Sequence, residues 1–247
     1  LKLNQVIYTV TENACIAEKI YKMILSGDIS EIKAPGQFVN LKLDGFFLRR
    51  PISVCDAENN NLTLIYKTVG KGTDRMSKLK AGKKLDVLTG LGNGYDITLS
   101  GNNPLLVGGG VGIPPLYMLC KRLIEKKAKP TVILGFGTAR EVFYENEFKK
   151  LGVPVYVTTA DGSCGQKGFV TDVMKNLHYT YFYACGPEPM FRAIDKIAQT
   201  GGQYSFEERM GCGFGACMGC SCKTLAGSKR ICREGPVMKR EEIIWAN

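Results

Sequence analysis

Cys212, Cys217 and Cys220 fall at the intervals C-x4-C-x2-C within a glycine-rich run, Gly211-Cys212-Gly213-Phe214-Gly215-Ala216-Cys217-Met218-Gly219-Cys220. No other feature restricts the fold so strongly, because thiols at this spacing in a short loop hold a metal centre rather than build a core. The interval is the one at which four thiolates hold two irons and two sulfides, a 2Fe-2S cluster. Wrapping such a loop needs backbone freedom and N–H groups turned toward sulfur, which Gly211, Gly213, Gly215 and Gly219 supply. The fourth ligand is Cys232, arriving from a separate strand, with Cys222 as its competitor two residues after Cys220. A structural zinc site normally pairs two C-x2-C knuckles. The four-residue first interval and the glycine density favour iron–sulfur over zinc, and both over disulfides.

The rest of the chain offers a core to carry that loop. Its 247 residues are 45% hydrophobic, enough for two compact domains and a small appendage. Ten cysteines, five of them between Cys212 and Cys232, occur without a secretory signal or a twenty-residue apolar span, which indicates a soluble cytoplasmic protein with reduced thiols and no membrane association. The formal charge of +10 comes from 33 basic and 23 acidic residues. No run of five basic residues occurs, so the charge reads as a solvated surface serving anionic cofactors and an acidic partner rather than nucleic acid.

Two rhythms divide the chain. Over residues 1–100, short β-type segments at 5–10, 14–25, 38–43, 52–55, 62–66 and 84–88, separated by turn residues, predict an antiparallel barrel with a short helix near 74–79. Over 101–203, apolar strands at 105–107, 131–135, 153–158 and 181–184 alternate with helical stretches at 114–126, 143–151, 170–177 and 187–199, the pattern of a doubly wound parallel sheet. The polar 160–168 connection is long for a structural loop and is expected to face a ligand. Residues 204–247 form the cysteine-rich cluster domain. The fold class is thus β barrel plus α/β with a small C-terminal cluster domain.

Candidate cofactor sites follow the same order. Arg50-Pro51-Ile52-Ser53 sets a guanidinium and a hydroxyl three residues apart, suiting a flavin pyrophosphate and isoalloxazine ring. Tyr66 and Lys67 then lead into Gly70, Gly72 and Thr73, a glycine-rich turn opening a short helix whose N–H groups suit phosphate. Each segment alone also fits an ordinary hairpin; together, ahead of a dinucleotide domain, they favour FAD. Gly110 and Gly112, after the first apolar strand, let the backbone approach a nicotinamide nucleotide, with Pro115 where the third fingerprint glycine would stand. Cys185 and Gly186 close the last strand at the carboxyl edge of the sheet, and Cys185 is a candidate for the nicotinamide edge or simply a small buried side chain. His178 is the only histidine, so no hydrolytic Ser/His or Cys/His set is present.

On these residues the chain resembles the ferredoxin–NADP reductase superfamily, and within it the electron-transfer subunits of type B dihydroorotate dehydrogenases. Pro35-Gly36-Gln37-Phe38, Arg50-Pro51-Ile52-Ser53, the Gly110 to Pro115 loop, Cys185-Gly186-Pro187 and the tail from Glu208 through Cys232 to Val237 carry the resemblance. It implies FAD, a 2Fe-2S cluster and NAD(H), with NAD preferred. It also implies an FMN-containing dihydroorotate dehydrogenase catalytic subunit as partner, in a heterotetramer of two of each chain. Electrons would pass from that FMN through the cluster and FAD to NAD in pyrimidine biosynthesis. Small subunits of sulfide dehydrogenases or NADH-dependent ferredoxin–NADP oxidoreductases share the layout and form the alternative.

Overall fold

In a computed structural model describing residues 4–245, six strands close into an antiparallel barrel. They are β1 (Asn4–Ala17), β2 (Ile20–Ser26), β3 (Phe38–Leu41), β4 (Arg50–Glu58), β5 (Asn61–Lys67) and, after helix α1 (Lys71–Ser77), β6 (Lys84–Leu91), in the order β1-β2-β5-β4-β3-β6. The segment expected as one strand over 14–25 is two legs of a hairpin. The turn lies at Glu18-Lys19, where Lys19 takes φ +60° without the glycine or asparagine that usually marks such a reversal. Tyr8, Met23, Leu25, Val39, Leu41, Leu62 and Leu64 fill the barrel, each fully excluded from solvent.

Beyond the barrel come β7 (Leu105–Gly109), α2 (Pro114–Glu125), β8 (Thr131–Phe136), α3 (Glu145–Lys150), β9 (Val155–Thr159), β10 (Gln166–Lys167), α4 (Val170–Met174), β11 (Phe182–Cys185), α5 (Glu188–Ile197) and β12 (Gly202–Ser205). The tail adds the hairpin β13 (Ser221–Thr224) and β14 (Gly227–Arg230), then β15 (Val237–Lys239). The sheet order is β10-β9-β8-β7-β11-β12-β15, parallel except at β12–β15. The strand order reverses between β7 and β11, so the loops after these two strands diverge and leave a crevice at their carboxyl ends. Three strands of this sheet, β10, β12 and β15, lie outside the four apolar runs read from the sequence. The helix expected over 170–177 ends at Met174, leaving His178 exposed in a loop.

The barrel and sheet share one core. Ile20, Cys55 and Ile65 on the barrel wall pack with Leu116, Leu119, Cys120 and Leu123 of α2. Alongside, the Lys121 ammonium reaches both Asp56 oxygens at 3.1 and 2.9 Å and Glu58 at 2.7 Å. On the opposite wall, Phe38, Leu88 and Leu91 are covered by Cys220, Ile231, Cys232 and Met238 of the tail. Through β15 the tail is also a strand of the nucleotide sheet, and it therefore fixes the cysteine loop against both bodies.

Candidate functional site

The crevice at the switch point is a cleft of 660 Å³ lined by Ser53, Lys67, Gly110, Gly112, Cys185 and Gly186, with Thr158 and Glu141 opposite. Of the residues expected to meet flavin or nicotinamide, these six share one space. Gly112 makes the closeness possible, since a Cβ there would stand 2.3 Å from the Cys185 carbonyl oxygen. The first helical turn of α2 begins at Pro114, which has no N–H to leave unpaired. Ala160, Gly168 and Phe169, bounding the polar connection, line the same cleft.

Cys185 is buried to 9% exposure, and burial pushes its thiol up to about 12, so it meets the cleft as a neutral thiol and not as a thiolate nucleophile. Behind it, the Tyr95 hydroxyl donates to the Ala184 carbonyl at 3.2 Å. Lys67 donates to Glu141 at 2.9 Å, linking barrel and sheet across the cleft, and this hydrogen bond holds the Glu141 carboxyl below its usual range. Thr158, at the end of β9, has a buried hydroxyl without a protein partner, an orphan polar atom that a bound polar ligand would satisfy. Glu141 and Thr158 carry no sequence motif; only the fold brings them to the cleft.

The remaining flavin candidates gather elsewhere. Arg50 lies against Gly72, where a Cβ would stand 2.0 Å from the guanidinium Nε, so the motif arginine and the start of α1 form one cradle. Its guanidinium also donates to the Leu48 and Arg49 carbonyls and sits 4.8 Å from the Phe46 ring centroid. Thr73 Oγ1 accepts from the Val69 and Gly70 N–H groups at 2.9 and 3.3 Å, so those two amides are already occupied. Tyr66 does not face the cleft. It belongs to the barrel core, stacked on Tyr21, with its hydroxyl donating to Asn13 at 2.9 Å, because residues alternate across a strand and Tyr66 points inward. Arg49 is bound twice to Asp86 at 2.9 and 3.0 Å.

The cysteine loop presents two pairs. Cys212 Sγ accepts from the Ala216 and Cys217 N–H groups at 3.2 and 3.4 Å, and the Cys217 thiol accepts from Cys212 and Gly219 N–H at 3.5 Å each. Cys220 Sγ accepts from the Cys232 N–H at 3.4 Å. Burial alone would raise the Cys212 thiol, but N–H groups of Phe214, Cys217 and Ala216 outweigh it and hold that thiol down at about 6. Among the described residues no three potential ligands surround a single point. Two thiol pairs with amides directed at sulfur suit a two-iron cluster, one pair to each iron. Cys222 packs against the same hydrophobic cluster as Cys220 and Cys232 but directs its thiol at Met238 Sδ, 3.9 Å away. Of the four loop glycines, Gly213 and Gly215 adopt φ +77° and +93°, while the third left-handed residue is Met218. Gly211 instead gives room, since a Cβ there would stand 3.2 Å from Cys217 Sγ.

A barrel, a doubly wound sheet with a ligand cleft at its switch point and a cysteine loop across the barrel wall define an iron–sulfur member of the ferredoxin reductase fold. The structure of an NADH-dependent reduced ferredoxin-NADP oxidoreductase, a flavin-based electron-bifurcating protein, superposes with a TM-score of 0.88 at 32% identity, covering 96% of this chain and 90% of that one. A ferredoxin NADP+ reductase from Neisseria gonorrhoeae with bound FAD and NADP shares the fold at TM-score 0.68 and 17% identity, over 83% of this chain and 100% of its own. Residues 106–196 match the oxidoreductase NAD-binding domain, and residues 207–244 match the iron-sulfur cluster binding domain of dihydroorotate dehydrogenase B. The dihydroorotate dehydrogenase B (NAD(+)) electron transfer subunits of Fusobacterium nucleatum and a Geobacillus species are 45% and 44% identical, over 95% and 96% of this chain and 96% and 97% of theirs. The chain belongs to this family of electron transfer subunits.

Proposed function

We propose that this chain is the electron-transfer subunit of an NAD-dependent dihydroorotate dehydrogenase, carrying electrons from a catalytic partner through a 2Fe-2S cluster and FAD to NAD in pyrimidine biosynthesis. One observation carries the reading: Phe38 pairs with Ser53 of the flavin motif on the neighbouring strand and shares a buried cluster with Cys220 and Cys232. The flavin and cluster candidates are thereby back to back across one side chain.

The chemistry supplied by a bound flavin is the exchange of one or two electrons, which is what joins a one-electron cluster to a two-electron nicotinamide. This chain's residues place and shield. Arg50 and the start of α1 hold the flavin pyrophosphate, Ser53 meets its ring, and Gly110, Gly112 and Gly186 let the nicotinamide nucleotide approach it. Cys185 packs at the nicotinamide edge. Cys212, Cys217, Cys220 and Cys232 hold the cluster. No acid or base on this chain would be required, since a bound flavin would supply hydride exchange with the nicotinamide.

The barrel of 1–100 then binds FAD, 101–203 binds NAD, and 204–247 holds the cluster. The partner is the FMN-containing catalytic subunit, in a heterotetramer of two of each chain, in the cytoplasm. Among the described residues no helix is long and apolar enough to cross a membrane. The likeness to the ferredoxin-NADP oxidoreductase supports the alternative, a subunit serving ferredoxin or sulfide, but at 32% identity against 45% for the dihydroorotate dehydrogenase relatives. Anaerobic isolation tests the cofactor content: FAD, two irons and two sulfides per chain are expected, with flavin absorbance bleached by NADH. A colourless protein that binds zinc would refute it.

A further inference from the structure

Strand β3 separates its side chains cleanly. Val39 and Leu41 enter the barrel core, whereas Phe38 and Asn40 face outward beneath the cysteine loop. On that outer face Asn40 stands directly opposite Pro51 of the flavin motif on β4 and opposite Leu88 on β6. Its side chain is 1% exposed. Asn40 Nδ2 donates to the Cys212 carbonyl at 3.3 Å, and the next residue, Gly213, comes so close that a Cβ there would stand 2.3 Å from the same nitrogen. Asn40 Oδ1 is buried with no partner. Packing alone would be served better by leucine, of nearly the same shape and with no polar atoms to bury. The amide therefore answers to something other than the fit of the barrel to its cover.

Its contact falls at a sensitive point. The Cys212 carbonyl begins the turn whose later amides, those of Ala216 and Cys217, donate to Cys212 Sγ. Hydrogen bonds to cluster sulfurs stabilise the reduced, more negative state and raise the reduction potential, and groups that orient ligands act on the metal through them. We propose that Asn40 is a positioning residue for electron transfer: by clamping the Cys212 carbonyl to the barrel it keeps the loop amides on Cys212 Sγ and so sets the reduction potential of the cluster relative to the flavin. The inference rests on the iron–sulfur assignment made above.

The test uses the intact chain with its cluster, read by iron and sulfide content, the electron paramagnetic resonance spectrum of the reduced cluster and its midpoint potential. Asn40→Leu keeps the shape and deletes the donor. Its cluster should assemble, with the reduction equilibrium constant at least tenfold lower, a fall of about 59 mV for one electron, and an altered resonance spectrum. Asn40→Asp replaces the donor with a negative acceptor and should fall further. Thr89→Val, a change on the neighbouring strand β6 within the same barrel, should leave the potential at the wild-type value. Wild-type potential and spectrum in either assembled Asn40 variant would overturn the proposal. Loss of the cluster in both would also overturn it, reducing Asn40 to a structural residue. A wild-type chain that holds no iron would instead refute the cluster assignment itself.

Discussion

The side chain of Asn93 closes a ring with the backbone of Val237, its Oδ1 accepting from the Val237 N–H at 2.9 Å and its Nδ2 donating to the Val237 carbonyl at 2.7 Å. Asn93 follows β6 of the barrel and Val237 opens β15, so this pair fastens the cysteine tail to the barrel. A third bond runs from Asn93 Nδ2 to the Glu234 carbonyl at 3.1 Å, and the Asn93 N–H reaches the Gly235 carbonyl. Replacing Asn93 by alanine leaves partly buried groups of Val237 unpaired, at a cost of about 1–3 kcal/mol. Asn93→Ala should lower the thermal midpoint and hasten cluster loss to an iron chelator. Chelation at the wild-type rate would count against the tail being held here.

The thiol pairs separate ligands from bystanders. Cys217→Ala should abolish the cluster absorbance and electron transfer to any partner, while NADH still reduces the flavin. Cys222→Ser should keep the full iron content, because that thiol is engaged with Met238 Sδ. Iron retained in Cys217→Ala, or lost in Cys222→Ser, would reverse the assignment.

Close approach governs the cleft. In Gly112→Ala the new methyl collides with the Cys185 carbonyl, which is backbone and cannot swing away. Flavin reduction by NADH should slow at least tenfold, a barrier change of about 1.4 kcal/mol, with flavin content unchanged. Wild-type rates from stopped-flow absorbance would place the nucleotide elsewhere.

Arg50 and Gly72 make the corresponding prediction for the flavin. Arg50→Ala removes a guanidinium suited to the pyrophosphate, so the purified chain should lose FAD on gel filtration while its far-ultraviolet circular dichroism is preserved. Undiminished flavin would assign the phosphate to other groups.

The Lys67–Glu141 bridge predicts a pH dependence. Its hydrogen bond depresses the Glu141 carboxyl in the folded chain, so the contribution to stability is present above the unfolded value, about 4.3, and is lost as pH falls through the lower folded value. With side chains 35% and 29% exposed, the contribution is below about 1 kcal/mol. Urea midpoints of wild type and Glu141→Gln should differ at pH 7 and converge as pH falls through the depressed folded value of Glu141. A gap that persists in acid would show that the charge on Glu141 is not what stabilises the cleft.

Much of this architecture is legible in sequence because its signals are local. Alternating apolar residues and turn clusters mark the barrel, four apolar strands alternating with helices mark the sheet, and cysteine spacing marks the loop. What sequence hides is set by tertiary neighbours. The β1–β2 reversal at Lys19 lacks turn chemistry, and β12 and β15 are short strands whose pairing is decided only by the sheet beside them. Tyr66 follows a strand rhythm whose inward phase is fixed by the closed barrel. Asn40, Asn93, Glu141 and Thr158 are lone polar residues that acquire meaning from groups 74 to 172 positions away, or from an orphaned hydroxyl.

The most direct test joins the chain to the proposed FMN-bearing catalytic subunit, anaerobically, and asks whether dihydroorotate drives NAD reduction. The account predicts NADH formation at 340 nm that needs both subunits and vanishes in the Cys217→Ala complex. A flavin- and cluster-loaded complex that NADH reduces but dihydroorotate does not would contradict it and transfer the chain to a ferredoxin- or sulfide-linked enzyme.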